Sequence, residues 1–224
     1  MRKAIVWSIV VLLATAGVAG AHDEPVTEAD KTFYALGLAI SQNLASFALT
    51  EPELHQVIDG LTDGALGKER RVDVNAYRQK IQELQQTRLA AASVTEKKKG
   101  QSFLEEAARK PGAKKTASGL VIIPITPGTG TSPKATDQVK VHYHGMLTDG
   151  TVFDSSVQRG EPATFPLDGV IKCWTEGVQL MKVGGKSRLV CPADIAYGDR
   201  GAPPRIKPGA TLVFEVELLD IVKK

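Results

Sequence analysis

Apolar and polar positions along this chain follow two rhythms, and the change falls near residue 118. Before it, apolar residues recur at helical spacing. Phe33, Leu36, Ile40, Leu44 and Phe47 form one series, and Leu54, Val57, Ile58, Leu61 and Ala65 form another. After it they alternate. Val139, Val141 and Tyr143 are interleaved with Lys140, His142 and His144, which is the pattern of a half-buried strand. Leu212, Phe214, Val216 and Leu218 alternate in the same way with Thr211, Val213, Glu215 and Glu217.

Punctuation residues bound three helices in the first half. Thr27 stands as an N-cap with Asp30 as its reciprocal acid, and Tyr34, Leu38 and Leu49 widen the apolar surface beyond one stripe. Thr50-Glu-Pro-Glu53 is a capping box with proline in the first turn, and Gly67 is a C-terminal stop for that second helix. Asp73 caps a third helix. Its Tyr77, Ile81 and Leu84 suit packing, but Gln85 to Gln101 is mostly Gln, Arg, Ala, Lys and Glu. Such a stretch forms helix readily and has little to bury, so it reads as a solvated rod reaching about Arg109, before Pro111-Gly112. Roughly 35 residues at 1.5 Å each give a rod of about 50 Å. Lys97-Lys98-Lys99 reads as one of its solvated faces, with docking of acidic clients or of the cell envelope as the alternative.

The second half reads as strands at 120–125, 138–147, 151–154 and 163–167, a short helix from Trp174 to Met181, and strands near Lys186–Cys191 and 211–222. Asp149-Gly150 is a hairpin signal, because glycine tolerates the positive φ of a primed turn. The expected architecture is α+β: an all-helical N-terminal region, a long connecting helix, and antiparallel strands around one short helix in about 110 residues.

Composition then narrows the function. The 42% apolar and 24% charged residues are ordinary for a globular protein. The formal charge of +3 includes Arg2 and Lys3, so the rest of the chain is close to neutral, which argues against a nucleic-acid binder. Arg2-Lys3, the apolar run Ala4–Ala16 and Ala19-Gly20-Ala21 make a secretory signal peptide, residues 1–21, with cleavage before His22. The alternative, a membrane anchor, asks a short run to span a bilayer. No cysteine follows that run to take a lipid, so the mature chain is expected to be exported and free of stable membrane insertion. Cys173 and Cys191 are the two cysteines. They either pair in an oxidising compartment or serve as small buried thiols.

The hairpin brings Tyr143, Phe153 and Asp154 together. With Val170-Ile171 and Trp174, Glu176-Gly-Val178, Val183-Gly-Gly-Lys186, Ala196-Tyr-Gly198 and Ala210-Thr-Leu-Val-Phe-Glu-Val-Glu-Leu218, the segment from Gly119 to Val222 resembles the FK506-binding-protein (FKBP) type of peptidyl-prolyl isomerase. The helical half, through Ala35-Leu-Gly-Leu-Ala-Ile-Ser-Gln-Asn-Leu44, is similar to the dimerisation region of the macrophage infectivity potentiator and FkpA-like group. The resemblance implies domains at 22–72 (helical, dimerising), 73–112 (connecting helix) and 113–224 (isomerase). It implies a catalytic set of Tyr143, Phe153, Asp154, Trp174, Tyr197 and Phe214, with Arg159, Phe165, Val170, Ile171 and Ile206 binding substrate. Trp174 would be the floor for the proline ring, and Phe153, Phe165 and Phe214 the walls. The Ile171 N–H and the Tyr197 hydroxyl would hold substrate carbonyls, and Tyr143 and Arg159 would hold Asp154. It further implies that Cys173 begins the short helix above a strand ending at Cys191, within bridging reach.

By the same resemblance the partners are unfolded or proline-containing polypeptides, FK506- or rapamycin-type macrolides as inhibitors, and a second copy of the chain. The compartment is the periplasm, with the outer membrane or secretion as the alternatives, and no cofactor or metal is called for. A different class of function remains open beside it: a chaperone or binding module that holds ligands in the same pocket without catalysis. The helical half has a second reading too, as a docking device for another envelope protein. Ala202 and Arg205 depart from the familiar His and Ile of the loop after Tyr197, which bears on the residue accepted before proline. Other motifs carry little. His142 and His144 lack a third ligand, Gly184-Gly-Lys-Ser187 lacks the earlier glycine of a P-loop, and Gly128-Thr-Gly130 opens no helix.

Overall fold

The computed structural model describes residues 27–222, so the leader reading lies outside the described residues. Three helices come first: α1 (Glu28–Leu44), α2 (Glu51–Ala65) and α3 (Val74–Ala108). Their caps follow the local chemistry. The Thr27 backbone N–H and hydroxyl both donate to Asp30, at 3.0 and 2.7 Å, and the Thr50 N–H donates to Glu53 at 2.8 Å in a full capping box. Asp73 accepts from the Asn75 N–H at 2.9 Å and starts α3. α1 gives way to a 3-10 turn at Ala45–Phe47, and Ala48 ends it with φ 45°. Neither α1 nor α2 buries a residue.

Seven strands, all antiparallel, form one sheet. They are β1 (Lys114–Lys115), β2 (Val121–Thr126), β3 (Gln138–Leu147), β4 (Val152–Ser155), β5 (Ala163–Pro166), β6 (Lys186–Cys191) and β7 (Leu212–Val222). The order is β1-β2-β6-β7-β3-β4, with β5 also paired to β3. A one-turn helix α4 (Ser156–Arg159) follows β4, and α5 (Lys172–Gln179) precedes β6. α5 starts and stops two residues before the expected span because Ile171 is its N-cap, its carbonyl accepting from Trp174 and Thr175. The fold is α+β, with N-terminal helices followed by an antiparallel sheet.

The two sheet faces have separate cores. In register, Ile122, Leu189 and Phe214 lie across β2, β6 and β7 and share a cluster with Cys173, Trp174 and Val178 of α5. Cys173 and Cys191 are disulfide-bonded there, with Cα atoms 5.8 Å apart. On the opposite face Val121, Val190 and Val213 form the next row and pack with Ala107, flanked by Phe103, Leu104 and Ala108.

That second core corrects the reading of α3 as a solvated rod to its end. The helix buries Ser93, Gly100 and Ala107, seven residues apart, so one stripe faces the domain. The stripe consists of small residues because the backbone approaches closely. A Cβ on Gly100 would overlap the Thr211 Oγ1 and come within 2.8 Å of its Cβ. Lys97 is not simply solvated either, since its Nζ pairs with Asp194 and Asp199, each at 2.7 Å. Nearer the start of α3, Gln85 donates to the Ser46 hydroxyl at 2.7 Å and Arg88 pairs with Glu53 at 2.5 Å.

Candidate active site

One cavity of about 410 Å³ is lined by Tyr143, Phe153, Asp154, Phe165, Gly169, Val170, Ile171, Trp174, Tyr197 and Phe214. Register explains how distant residues meet there. Tyr143 and Gly145 lie two apart on β3, Gly145 pairs with Asp154 of β4 and Phe214 of β7, and Phe165 of β5 pairs with Val139. Gly145 leaves the room that the rings need: a Cβ on it would stand 2.8 Å from Phe153 and 3.0 Å from Phe214.

Trp174, from the first turn of α5, is the hub of the cavity. Its ring meets Tyr143, Phe214 and Phe165 edge to face, at centroid separations of 5.2, 5.4 and 5.8 Å. Phe153 meets Phe214 at 5.6 Å in the same manner. Edge-to-face packing fixes each ring against the next, so the lining is stiff as well as apolar. Trp174, Phe214 and Tyr143 are buried, Phe153 and Phe165 half-buried, and the Tyr197 ring exposed at the rim. The Trp174 Nε1 is buried without a hydrogen-bond partner among the described residues.

A polar network sits on one side. The Tyr143 hydroxyl donates to Asp154 Oδ2 at 2.5 Å, Arg159 Nη2 donates to the Tyr143 oxygen at 2.9 Å, and Arg159 Nη1 pairs with Asp154 Oδ1. The local sequence makes this possible. Ser155 caps the single turn of α4, accepting from the Gln158 N–H at 3.1 Å, that turn brings Arg159 back beside Asp154, and Gly160 ends it with φ 79°. The guanidinium also lies 5.6 Å from the Tyr143 ring centroid. Burial pushes the Asp154 carboxyl up, but hydrogen bonds from Tyr143 and Arg159, with the Arg159 charge, outweigh it and leave it below the ordinary 3.8. The Tyr143 phenol is raised, by burial first and then by its bond to Asp154. Near neutral pH the pair is therefore a carboxylate and a protonated phenol.

Two donors at the rim have no partner among the described residues: the Ile171 backbone N–H and the Tyr197 hydroxyl. The segment carrying Tyr197 is gripped from both sides by α3. Ser93 donates to Asp199 at 2.6 Å, and Lys97 bridges Asp194 and Asp199. Those bonds, the Lys97 one first, hold the Asp199 carboxyl below its ordinary value.

Of the residues chosen from sequence, nine line this cavity. Arg159 stands behind it on Asp154, and Ile206 is buried in the core, at 4% exposure, where two backbone bonds with Ala202 tuck it. Gly169 and Gly145 were missed, although a glycine inside a strand, as Gly145 is, is a readable signal of close approach. His142 and His144 each bond a serine hydroxyl, of Ser156 at 3.1 Å and Ser155 at 2.9 Å.

Comparison with known proteins decides the family. The profile for "FKBP-type peptidyl-prolyl cis-trans isomerase" matches residues 129–219, and that for "Domain amino terminal to FKBP-type peptidyl-prolyl isomerase" matches 29–121. The FKBP-type isomerase FkpA of Aeromonas hydrophila is 47% identical over 207 residues, covering 87% of this chain and 76% of that protein. The chain belongs to the FKBP-type peptidyl-prolyl cis-trans isomerases. Another of these FKBP-type enzymes, the 22 kDa isomerase of Escherichia coli (strain K12), is 43% identical over 195 residues, with 84% of this chain and 93% of that one covered. The crystal structure of FkpA from Escherichia coli superposes with a TM-score of 0.65 at 36% identity, over 87% of this chain and 97% of that one. This FKBP-type chain is thus a peptidyl-prolyl isomerase with an amino-terminal helical domain. Among its described residues no helix is long and apolar enough to cross a membrane.

Proposed function

We propose that the aromatic cavity is where X-Pro bonds isomerise, in proline-containing stretches of exported polypeptides that are still folding. An X-Pro bond turns slowly because its planar amide must lose resonance, against a barrier of about 18–20 kcal/mol. The planar amide is more polar than the twisted one. A dry, rigid aromatic lining replaces water around it and so favours the twisted form without any nucleophile. Trp174 takes the proline ring, with Phe153, Phe165 and Phe214 around it and Val170 alongside. The Ile171 N–H and the Tyr197 hydroxyl hold substrate carbonyls. Asp154, fixed by Tyr143 and Arg159, organises the electrostatics beside the turning carbonyl and takes no part in acid–base chemistry. The observation that carries this reading is the single cavity in which these side chains converge.

The helical half supports a dimer. Phe33, Tyr34 and Leu36 of α1 are 71, 60 and 56% exposed, more apolar surface than a solvated helix leaves open. A second copy of the chain is the partner that suits such a surface in a protein with two sites, since paired cavities raise the effective concentration of one unfolded client. The working division is a dimerising region at 22–72, a connecting helix at 73–112 and an isomerase domain at 113–224. Residues 1–21 act as a signal peptide, and the periplasm is the site of action.

The cavity reading is open to direct test. Trp7 and Trp174 are the only tryptophans, so a mature chain of residues 22–224 reports on the cavity through Trp174 alone. Titration with X-Pro peptides, or with an FK506-type macrolide, should change Trp174 fluorescence saturably, and the macrolide should displace the peptide. An unchanged spectrum at peptide concentrations where isomerisation saturates would remove the reaction from this cavity.

A further inference from the structure

A second cavity of about 610 Å³ adjoins the aromatic one and shares Phe153 and Asp154 with it. Its character is different, because Thr151, Gln158, Arg159 and Arg205 bring polar and cationic groups to its wall. Arg159 is already paired, with the Asp154 carboxylate and the Tyr143 oxygen. Arg205 is not. Its Nη1 donates to the Phe153 carbonyl at 3.2 Å, and no carboxylate among the described residues pairs with it. One positive charge therefore remains uncompensated immediately beside the aromatic cavity.

The backbone around Arg205 presents it on a stiff support. Ala202 and Ile206 exchange both backbone hydrogen bonds, at 2.8 and 3.0 Å, and close a tight loop over Pro203, Pro204 and Arg205. The two prolines fix φ, and the buried Ile206 anchors the far end. The contact with the Phe153 carbonyl occupies one of the five guanidinium N–H groups, and the others are available to a carboxylate.

We propose that this groove is a second subsite of the same active centre, which selects substrates carrying an acidic side chain next to the proline, with Arg205 as the specificity-determining residue. The proposal rests on the reading of the aromatic cavity as the X-Pro site. A peptide whose proline lies against Trp174 leaves that cavity past Phe153 and Asp154, the rim that the two cavities share. A flanking Glu or Asp then meets Arg205, whereas a flanking Lys meets an unpaired positive charge. The groove is open to solvent, so the preference is modest, and salt weakens it.

The test measures kcat/KM for cis-to-trans isomerisation of short peptides with Glu, Leu or Lys before the proline, and a second set with the same residues after it. It uses the 22–224 chain and its Arg205→Gln, Arg205→Ala and Arg205→Glu variants. Arg205→Gln keeps a donor for the Phe153 carbonyl while removing the charge. In the unsubstituted protein, Glu should exceed Lys by about 3–10-fold at one of the two positions, the range open to a partly exposed ion pair and its reversal. The ratio should approach one in Arg205→Gln and Arg205→Ala, with Leu peptides still turned over, invert in Arg205→Glu, and shrink in 0.5 M salt, roughly 4 Å of screening length. Equal Glu-to-Lys ratios in the unsubstituted and Arg205→Gln proteins at both positions, with Leu peptides still turned over, would overturn the subsite alone. Failure to accelerate any Leu peptide would overturn the aromatic-cavity reading and this one together.

Discussion

The helices α1 and α2 and the sheet domain treat the same kind of side chain in opposite ways. In the sheet domain Leu120, Leu167, Leu189, Leu212 and Leu218 are fully buried, whereas Leu36, Leu54 and Leu61 of the helices stand 40–56% exposed. Capping is as complete in α1 and α2 as anywhere in the molecule, with two reciprocal Thr–acid caps, so local helix signals do not account for the difference. What differs is the partner. The sheet offers α5 one face and the end of α3 the other, while no residue of α1 or α2 is fully buried among the described residues. A helix can therefore be well specified by its own residues and still lack the packing that supplies most of its stability.

The largest expected effect breaks the comparison at its helical side. Phe33→Glu combined with Ile40→Glu should turn a dimer into a monomer in sedimentation equilibrium at micromolar concentration. It should leave turnover of a short X-Pro peptide within about twofold, because the cavity residues are untouched. A monomer already in the unsubstituted chain would assign the apolar face to a different protein.

Next in size is the contrast between two Leu→Ala changes. Leu189→Ala in the sheet core should cost about 2–5 kcal/mol of stability by denaturant unfolding. Leu61→Ala on α2 should cost little at low protein concentration, and any larger cost should grow with concentration if that face pairs with a second chain.

Glycines sharpen the same contrast. Gly100→Ala places a methyl against Thr211 and should cost about 1–3 kcal/mol as an overpacking change, with faster proteolysis within α3. Gly60 in α2 has nothing within 4 Å of the added Cβ, so Gly60→Ala should stabilise by roughly 0.5–1 kcal/mol, the helix-propensity gain. Opposite signs in thermal unfolding would support the docking of α3 on the domain, and equal signs would contradict it.

These two glycines also show where the sequence was readable. The alternation of Val139, Val141 and Tyr143, the Thr50–Glu53 box and the Asp73 cap were legible because each signal is local: a period of two, or a bond three residues away. The docking of α3 was not, because the stripe it buries is Ser93, Gly100 and Ala107, residues without apolar bulk. Val213 shares its strand face with Thr211, Glu215 and Glu217, and only the helix packed over it makes that face a core. The grip of Lys97 on Asp194 and Asp199 joins residues about a hundred positions apart, and charge pairing at that distance leaves no trace in spacing. The cavity residues were chosen through resemblance to a family, and no periodicity would have set Trp174 beside Phe165. Ile206, chosen by the same route, is absent from the lining of that cavity.

The smallest expected effect is with pH. Asp154 has a folded value below the ordinary 3.8, so the stability its contacts contribute is fully present above that ordinary value and is lost as pH falls through the folded value. Peptide isomerisation should therefore be flat from about pH 8 to pH 5 and decline only in the acid range where Asp154 protonates. An Asp154→Asn variant should lack that decline. A midpoint near neutrality would assign the titration to a different group.

The central claim is that isomerisation takes place in the aromatic cavity of the sheet domain, with its polar side set by Asp154 and its rim donor by Tyr197. The direct measurement is the cis-to-trans rate of short X-Pro peptides for the 22–224 chain and for the Asp154→Ala, Tyr197→Phe double variant, with circular dichroism and oligomer mass recorded on both. The account predicts that the double variant loses more than about tenfold in kcat/KM, equivalent to at least 1.4 kcal/mol of transition-state stabilisation, while fold and oligomer mass are unchanged. A double variant that folds and assembles identically and keeps the full rate would contradict it.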